Sequence, residues 1–546
     1  MPVATGSLPP AVEYDLGETT VVQERFPADS RFRNMPVRLN GIIAVPPDGG
    51  PYPVVAVLHG NHHGCPVDET SVDRWPCAPE LEQPNYRGFE YLVRRLAAEG
   101  YVALSININA ENTFGFGEPS PNERLEQILD RHLQALAAAA AGGPNDFGVA
   151  LAGRADVSRL ALFGHSRGGE AALVLANSPA LASASRGYGP VAGVLQIAAA
   201  AGTADPWTGS AVPLATILAA CDGDVVAQDG QFFFEGARLA PGQTQWAVSA
   251  WLERANHNYF NQILADDAMG RRGRPDCQPI LDGDVQRAWL ADYAVDFLTR
   301  IFDPDAVAVA KAAARMGMDV QKPAPDMLYG LPARVATLAP AAERRTVMLP
   351  ASAGELTINR LGGAVTAVNA TAHFCPKGFY SARSLPGSEP CRRNYVTIPG
   401  QPSHAVISWD QPGAVLRFAL PDGAGDLRGA AALSLRAAVD PGSPLNAAGQ
   451  PQAFTVRLTD AAGHSATAVT AAAEPALAYP AGLWEDDAAL TTGFFTGLVP
   501  LTTIRLPLGA FAGVNLTDIR EIALEFDRTA SGTLFLGDVE WVRPPS

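Results

Sequence analysis

This sequence predicts a mixed α/β fold with a mostly parallel sheet, followed by an all-β region, and three observations carry the prediction. Between Val37 and Phe302, apolar runs of buried-strand length alternate with helical patterns, as βαβ units require. The stretch Leu160 to Leu175 stops reading as a strand at Gly164 and reads as a helix immediately after Ser166. Beyond Arg345 the hydrophobic period changes: Phe454, Val456 and Leu458 alternate with Thr455, Arg457 and Thr459, and Ile522, Leu524 and Phe526 alternate with Ala523, Glu525 and Asp527.

A chain of 546 residues exceeds one ordinary domain and predicts two. Residues 1–305 are assigned to the α/β part with an irregular lead-in, 306–345 to an alanine- and proline-rich linker, and 346–546 to a β-sandwich or jelly roll that supplies its own apolar face and should fold alone. The formal charge of −16, with no cluster of lysine or arginine, argues against nucleic acid as a partner. No apolar run reaches the roughly 18 residues of a membrane span, and MPVATGSLPP lacks the charged and apolar regions of a leader, so the expectation is a soluble chain whose leader has been removed. The six cysteines are Cys65, Cys77, Cys221, Cys277, Cys375 and Cys391. They allow 15 pairings, or could all be buried thiols. Cys65 with Cys77 and Cys375 with Cys391 each bracket a short polar loop that a staple would steady, which points to an oxidising, secreted or periplasmic location.

In chain order, residues 1 to 35 read as a lead-in with one or two edge strands. Val37 to Val45 and Val54 to Leu58 read as strands around the turn signal PPDGGPYP. A Pro-rich loop over residues 64 to 88, expected to overhang the mouth of a site, precedes a helix from Phe89 to Glu99 and a strand from Tyr101 to Ile108. Ser120-Pro121-Asn122-Glu123 is a capping box that opens a helix with Leu125, Ile128, Leu129, Leu133 and Leu136 on one face. Strands follow at Arg159 to Gly164, Val191 to Ala198, Leu214 to Ala220 and Thr244 to Leu252. A helix from Asp284 to Phe302 stacks Trp289, Tyr293, Phe297 and Ile301, and Ala306 to Met316 permits one more helix inside the linker.

The chemistry gathers around Gly164-His165-Ser166-Arg167-Gly168. A serine on a strained strand-to-helix turn has its hydroxyl pushed outward, and its flanking glycines admit the crossing backbone. The Arg167 N–H and the helix dipole point toward a developing oxyanion, and Asn61, after the strand-ending His59-Gly60, offers the complementary N–H. The serine needs a base and an orienting carboxylate, which follow it in the order acid then histidine. Asp222, at the end of the run PLATILAA, is the acid, with Asp224 its rival. His257, after the run WAVSAWLERAN, is the base. His59, His62 and His63 raise the possibility of a metal, but no further ligand has recognisable spacing and no metal is assigned.

The elbow, the His-Gly strand end, the Asp222 loop and Ala255-Asn256-His257-Asn258-Tyr259-Phe260 together resemble the α/β-hydrolase superfamily. The form GHSRGG is similar to that of chlorophyllases and of bacterial cutinase-like and polyester-cleaving esterases. The resemblance covers roughly residues 36 to 302 and implies a cofactor-free serine esterase acting on small or polymeric esters, with Ser166, His257 and Asp222 as triad and Asn61 and Arg167 as oxyanion donors. Trp207 and the run Phe232-Phe233-Phe234 are candidates for an apolar substrate wall, or else core. Some polyester-cleaving relatives carry a staple similar to a Cys221–Cys277 bond, which would tie the Asp222 loop to the His257 loop; two free thiols are the alternative. GTLFLGDVEWV resembles galactose-binding-like sandwiches, which implies a carbohydrate as a ligand of the C-terminal part; compact cutinase-like enzymes lack such a part. A peptidase or amidase would need an acidic anchor for a substrate amine, for which Glu170 is nearest, and a non-catalytic carbohydrate-binding or adhesion protein is the remaining alternative.

Overall fold

The computed structural model describes residues 8–30, 33–67, 75–112, 121–181, 186–202, 209–240, 242–267, 277–376, 390–391, 403–471, 473–480 and 500–544. Ser120 and Trp207 lie outside these residues. Among them, one sheet is built from β1 (Val12–Val22), β2 (Asn34–Ala44), β3 (Tyr52–Leu58), β4 (Val102–Ile106), β5 (Ala155–His165), β6 (Val191–Ile197), β7 (Leu214–Ala219), β8 (Ala247–Leu252), β9 (Met327–Leu328) and β10 (Leu331–Leu338). Their spatial order is β1-β2-β4-β3-β5-β6-β7-β8-β10-β9. The strands from β4 to β8 in that order are parallel, and antiparallel strands finish both edges.

The helices are α1 (Glu90–Ala98), α2 (Asn109–Asn112), α3 (Pro121–Ala140), α4 (Arg167–Ala176), α5 (Gly230–Leu239), α6 (Gly283–Phe302) and α7 (Ala306–Arg315). They explain why β3 is apolar at nearly every position. Val54, Ala56 and Leu58 join one hydrophobic cluster with Leu129 of α3 and Leu173 of α4, whereas Val55 and Val57 join another with Leu92 of α1 and Tyr293 of α6. Successive side chains of a strand leave on opposite faces, so a strand covered on both sides has no position left for a polar residue.

The segment 306–345, expected as a linker, is instead largely part of this layer structure. Ala306–Arg315 is α7, and β10 runs antiparallel to β8 with Ala333 opposite Leu252 and Leu338 opposite Ala247. Alanine enrichment serves a helix as well as it serves a linker. The alternation in Leu331–Leu338 sends Ala333 and Val335 into one cluster and Ala336 and Leu338 into the other.

The C-terminal region holds two antiparallel sheets. In the first, Ala370–Cys375, His404–Trp409, Gly532–Val542, Ala432–Val439 and Thr502–Pro507 lie in that order, with Arg344–Met348 also paired to Gly532–Val542. In the second the order is Val365–Val368, Val415–Ala419, Ile519–Glu525, Thr455–Asp460, Ser465–Val469. Ile407, Leu435 and Val539 of the first share one cluster with Leu416, Val456 and Leu524 of the second.

Gly532–Val542 is buried at every residue, and its Asp538 meets α5. There Arg238 reaches Asp538 at 2.6 Å and Glu235 at 2.5 Å, and Arg436 reaches Glu235 and Asp538 at 2.8 Å each. All four side chains are at most 5% exposed. Nearby, Arg505 donates to the carbonyls of Gly317, Asp319 and Lys322 and to the Thr337 hydroxyl. The C-terminal sheets therefore share their buried charges with the first 345 residues.

Removing one member of such a network leaves its partners charged and buried. Asp538→Asn is expected to cost about 3–5 kcal/mol, whereas replacing Glu235, Arg238, Arg436 and Asp538 together with apolar residues of similar volume should recover most of that loss. Burial raises the Glu235 and Asp538 carboxyls, but the two guanidiniums more than offset it and hold both below their usual values of 4.5 and 3.8. Their stabilisation is thus present above those values and lost as pH falls through the depressed ones. Urea unfolding of the variants at pH 7, and of the wild type from pH 6 downward, measures both effects.

Candidate active site

Ser166 is the single residue between β5 and α4, with φ 55° and ψ −123°, a conformation that costs a non-glycine residue of order 1–3 kcal/mol. Three backbone hydrogen bonds hold it there: Ser166 N–H donates to Ile197 O at 2.9 Å, and Ser166 O accepts from Gly169 and Ala200. The flanking glycines are sterically required. A Cβ on Gly168 would stand 2.5 Å from the carbonyl oxygens of Leu58 and His59, one on Gly169 would stand 2.7 Å from Ala199 Cβ, and one on Gly164 would overlap the Gly168 carbonyl. The loop after β3 comes equally near, since a Cβ on Gly60 would lie 3.0 Å from Ser166 Cβ, which brings the segment bearing Asn61 alongside the serine.

Asp222 follows β7 and is buried. Its Oδ1 accepts the N–H groups of Asp224 (2.9 Å) and Val225 (2.6 Å), and its Oδ2 accepts from His257 Nδ1 at 2.9 Å. With both carboxylate oxygens engaged, the imidazole is held as the Nδ1–H tautomer, which leaves the Nε2 lone pair available. Asp224 is exposed, and its carboxylate stands 3.8 Å from His257 Nε2 rather than on the Nδ1 side. His257 packs against the residue before the serine: the His165 and His257 rings lie 4.6 Å apart, and His165 Nε2–H donates to His257 O at 3.1 Å. Burial lowers the His257 pKa, but Asp222, Asp224 and Asp267 outweigh it and bring the group to about 9.

Two supports for this pair have no signal in the sequence. Asp267 Oδ2 accepts the N–H of Gly223 in the acid loop at 2.5 Å and the N–H of His257 at 3.2 Å, so one carboxylate joins both loops. Gln286 of α6 brackets Asn256, accepting its N–H at 3.1 Å and donating to its carbonyl at 2.7 Å. A disulfide joins Cys221 to Cys277 across the same loops, and Cys65–Cys77 and Cys375–Cys391 are likewise bonded.

Other expected residues fall elsewhere. Phe232 and Phe233 lie on α5 and are fully buried, Phe233 in the cluster beneath the sheet, so they are core and form no wall open to a substrate. Glu170 accepts from Arg167 Nη1 at 2.9 Å and from Gly202 N at 3.2 Å; it is engaged by arginine and backbone, not set out as an anchor for an amine. His59 uses both ring nitrogens on backbone, accepting from Ile108 N at 3.0 Å and donating to Gly60 O at 2.8 Å.

No protein-family model and no curated protein matches this chain. Among solved structures, it is similar to a ferulic acid esterase from Streptomyces cinnamoneus (14% identity, TM-score 0.33, covering 56% of this chain and 96% of that one). It is also similar to a structure from a study of two fungal esterases from Rhizomucor miehei (14% identity, TM-score 0.32, covering 54% and 85%). At such values the likeness assigns neither a family nor a role.

The site geometry ranks the two aspartates and sets a pH dependence. A histidine must be neutral to accept a proton, so any turnover that uses His257 as its base is expected to rise with pH through the His257 pKa of about 9. The stabilisation from the charged His257–Asp222 pair has the opposite course: complete below 6.5, it is lost as pH rises through about 9. Asp222→Asn should lower kcat by roughly 10⁴. Asp224→Asn should keep kcat within a few-fold and move the rising limb to lower pH. A pH–rate series on both variants checks the ranking, and a reversed order would assign the acid to Asp224.

Proposed function

We propose that this chain is a serine hydrolase of the α/β-hydrolase type, cleaving carboxylic esters, polyesters among them, through Ser166, His257 and Asp222. The observation that carries the reading is the buried hydrogen bond from His257 Nδ1 to an Asp222 carboxylate already engaged by two backbone N–H groups, set against the strained Ser166 corner. The parallel centre and strand order of the large sheet support the fold assignment. The shared core of the two antiparallel sheets supports reading the C-terminal region as a β-sandwich, for which a carbohydrate ligand is proposed. Three disulfides support an oxidising location, and no described helix is long and apolar enough to cross a membrane.

In this mechanism Ser166 Oγ attacks the ester carbonyl carbon while His257 Nε2 takes its proton, and the carbonyl electron pair moves onto oxygen, facing the N–H groups of Asn61 and Arg167. Asp222 stabilises the imidazolium without taking its proton. Collapse breaks the bond to the alcohol oxygen, which leaves with the proton from His257. Water then attacks the acyl-enzyme carbonyl as His257 takes one of its protons, and return of that proton to Ser166 releases the acid.

Ser166→Ala is expected to lower ester hydrolysis by about 10⁴ to 10⁶ and to abolish labelling by a fluorophosphonate, with an unchanged circular dichroism spectrum. Retention of more than a tenth of wild-type activity would overturn the assignment. p-Nitrophenyl esters of increasing chain length, run beside amide substrates and a polyester film, distinguish an esterase from an amidase.

A further inference from the structure

The segment after β3 carries three histidines, and the fold gives them three different places. His59 is engaged by backbone on both nitrogens, and His63 is exposed. His62 lies close to the serine: its Nε2 and Ser166 Cβ are each 3.0 Å, and His165 Nδ1 3.1 Å, from the point a Cβ on Gly60 would occupy, so all three border the space that glycine keeps open. The His62 ring is roughly parallel to those of His59 (6.4 Å, 21°) and His165 (6.3 Å, 26°), which fixes its plane. Its Nε2 is buried and makes no hydrogen bond with the described residues. A buried ring nitrogen that no described residue engages, bordering the space beside Ser166, is arranged for a group that arrives with the substrate.

We propose that His62 is a further catalytic residue, whose Nε2–H donates to the substrate carbonyl oxygen as Ser166 attacks, beside the backbone N–H groups of Asn61 and Arg167. The proposal rests on the serine-hydrolase reading above. Its chemistry suits the position. Burial, together with the neighbouring His257 and His63, holds the His62 pKa at about 4, so at neutral pH the ring is an uncharged donor. A neutral imidazole stabilises the electron pair that moves onto oxygen without opposing the positive charge that forms on His257 in the same step.

His62→Phe keeps a ring between His59 and His165 and removes the donor; His62→Gln returns a donor without the ring. The first is expected to lower kcat on a p-nitrophenyl ester by about 10²-fold, with KM changed less than about threefold, and to weaken a boronic acid inhibitor by a similar factor. The second should recover at least about tenfold of that loss, which a purely steric role would not produce. If His62→Phe shows no cooperative thermal transition, His62→Leu against His62→Gln makes the same comparison. Turnover of the apolar variant within about threefold of wild type, or a glutamine variant no better than the apolar one at equal thermal midpoint, would overturn the proposal. Fluorophosphonate labelling of Ser166 in each variant separates the two levels: persistent labelling with unchanged turnover removes only His62, whereas a wild type unlabelled at Ser166 removes the hydrolase reading itself.

Discussion

Gly168 passes so close to β3 that a Cβ there would stand 2.5 Å from two carbonyl oxygens, and the position of everything else in the site follows from that contact. Because α4 starts against the end of β3, Gly60 and the first turn of α4 both border Ser166. Because Ser166 O accepts from both Gly169 and Ala200, the segment after β6 is drawn to the same corner. Asp229 and Glu170 then take the next two N–H groups, those of Ala201 and Gly202. The strain at φ 55° is sustained by neighbours that leave the chain no other path.

Electrostatics adds a second layer. Asp222, Asp224 and Asp267 all bear on His257, and their sum exceeds the burial that lowers its pKa. The rings around it are treated in the opposite way: burial holds His59 and His62 at about 3 and 4, and burial and His257 push His165 far down as well. Four histidines thus stand close together with one raised and three lowered, a division made by which ring faces carboxylates and which faces backbone or apolar surface.

The loop that begins at Asp222 is one element away from a contact between the two halves of the molecule. It leads directly into α5, and α5 carries Glu235 and Arg238 into the buried network with Arg436 and Asp538. A network of this kind adds little net stability when complete, yet it tolerates no misplaced partner. It therefore fixes how the antiparallel sheets seat on α5, and with α5 the far end of the loop that begins at Asp222.

Short-range pattern was enough to read the alternation of strands and helices, the Ser166 corner, and Asp222 and His257 at strand ends, because each of these depends on the spacing of apolar residues or on the steric demands of glycine within a few positions. Asp267, Gln286 and the role of His62 were not legible, since each acts on backbone or space far away in the chain and no periodicity marks it. Residues 306–345 have a composition that suits a linker, and only pairing to β8 made β10 a strand. Phe232 and Phe233 were candidates for a substrate wall or for core, and the packing of α5 made them core. Arg238, Arg436, Glu235 and Asp538 are the sharpest case. On their own helix and strands they sit where a solvated charge would sit, and only the approach of one half to the other removes the water and makes each depend on the rest. Local sequence determines which face of an element is apolar; what lies opposite its polar face is decided by tertiary packing alone.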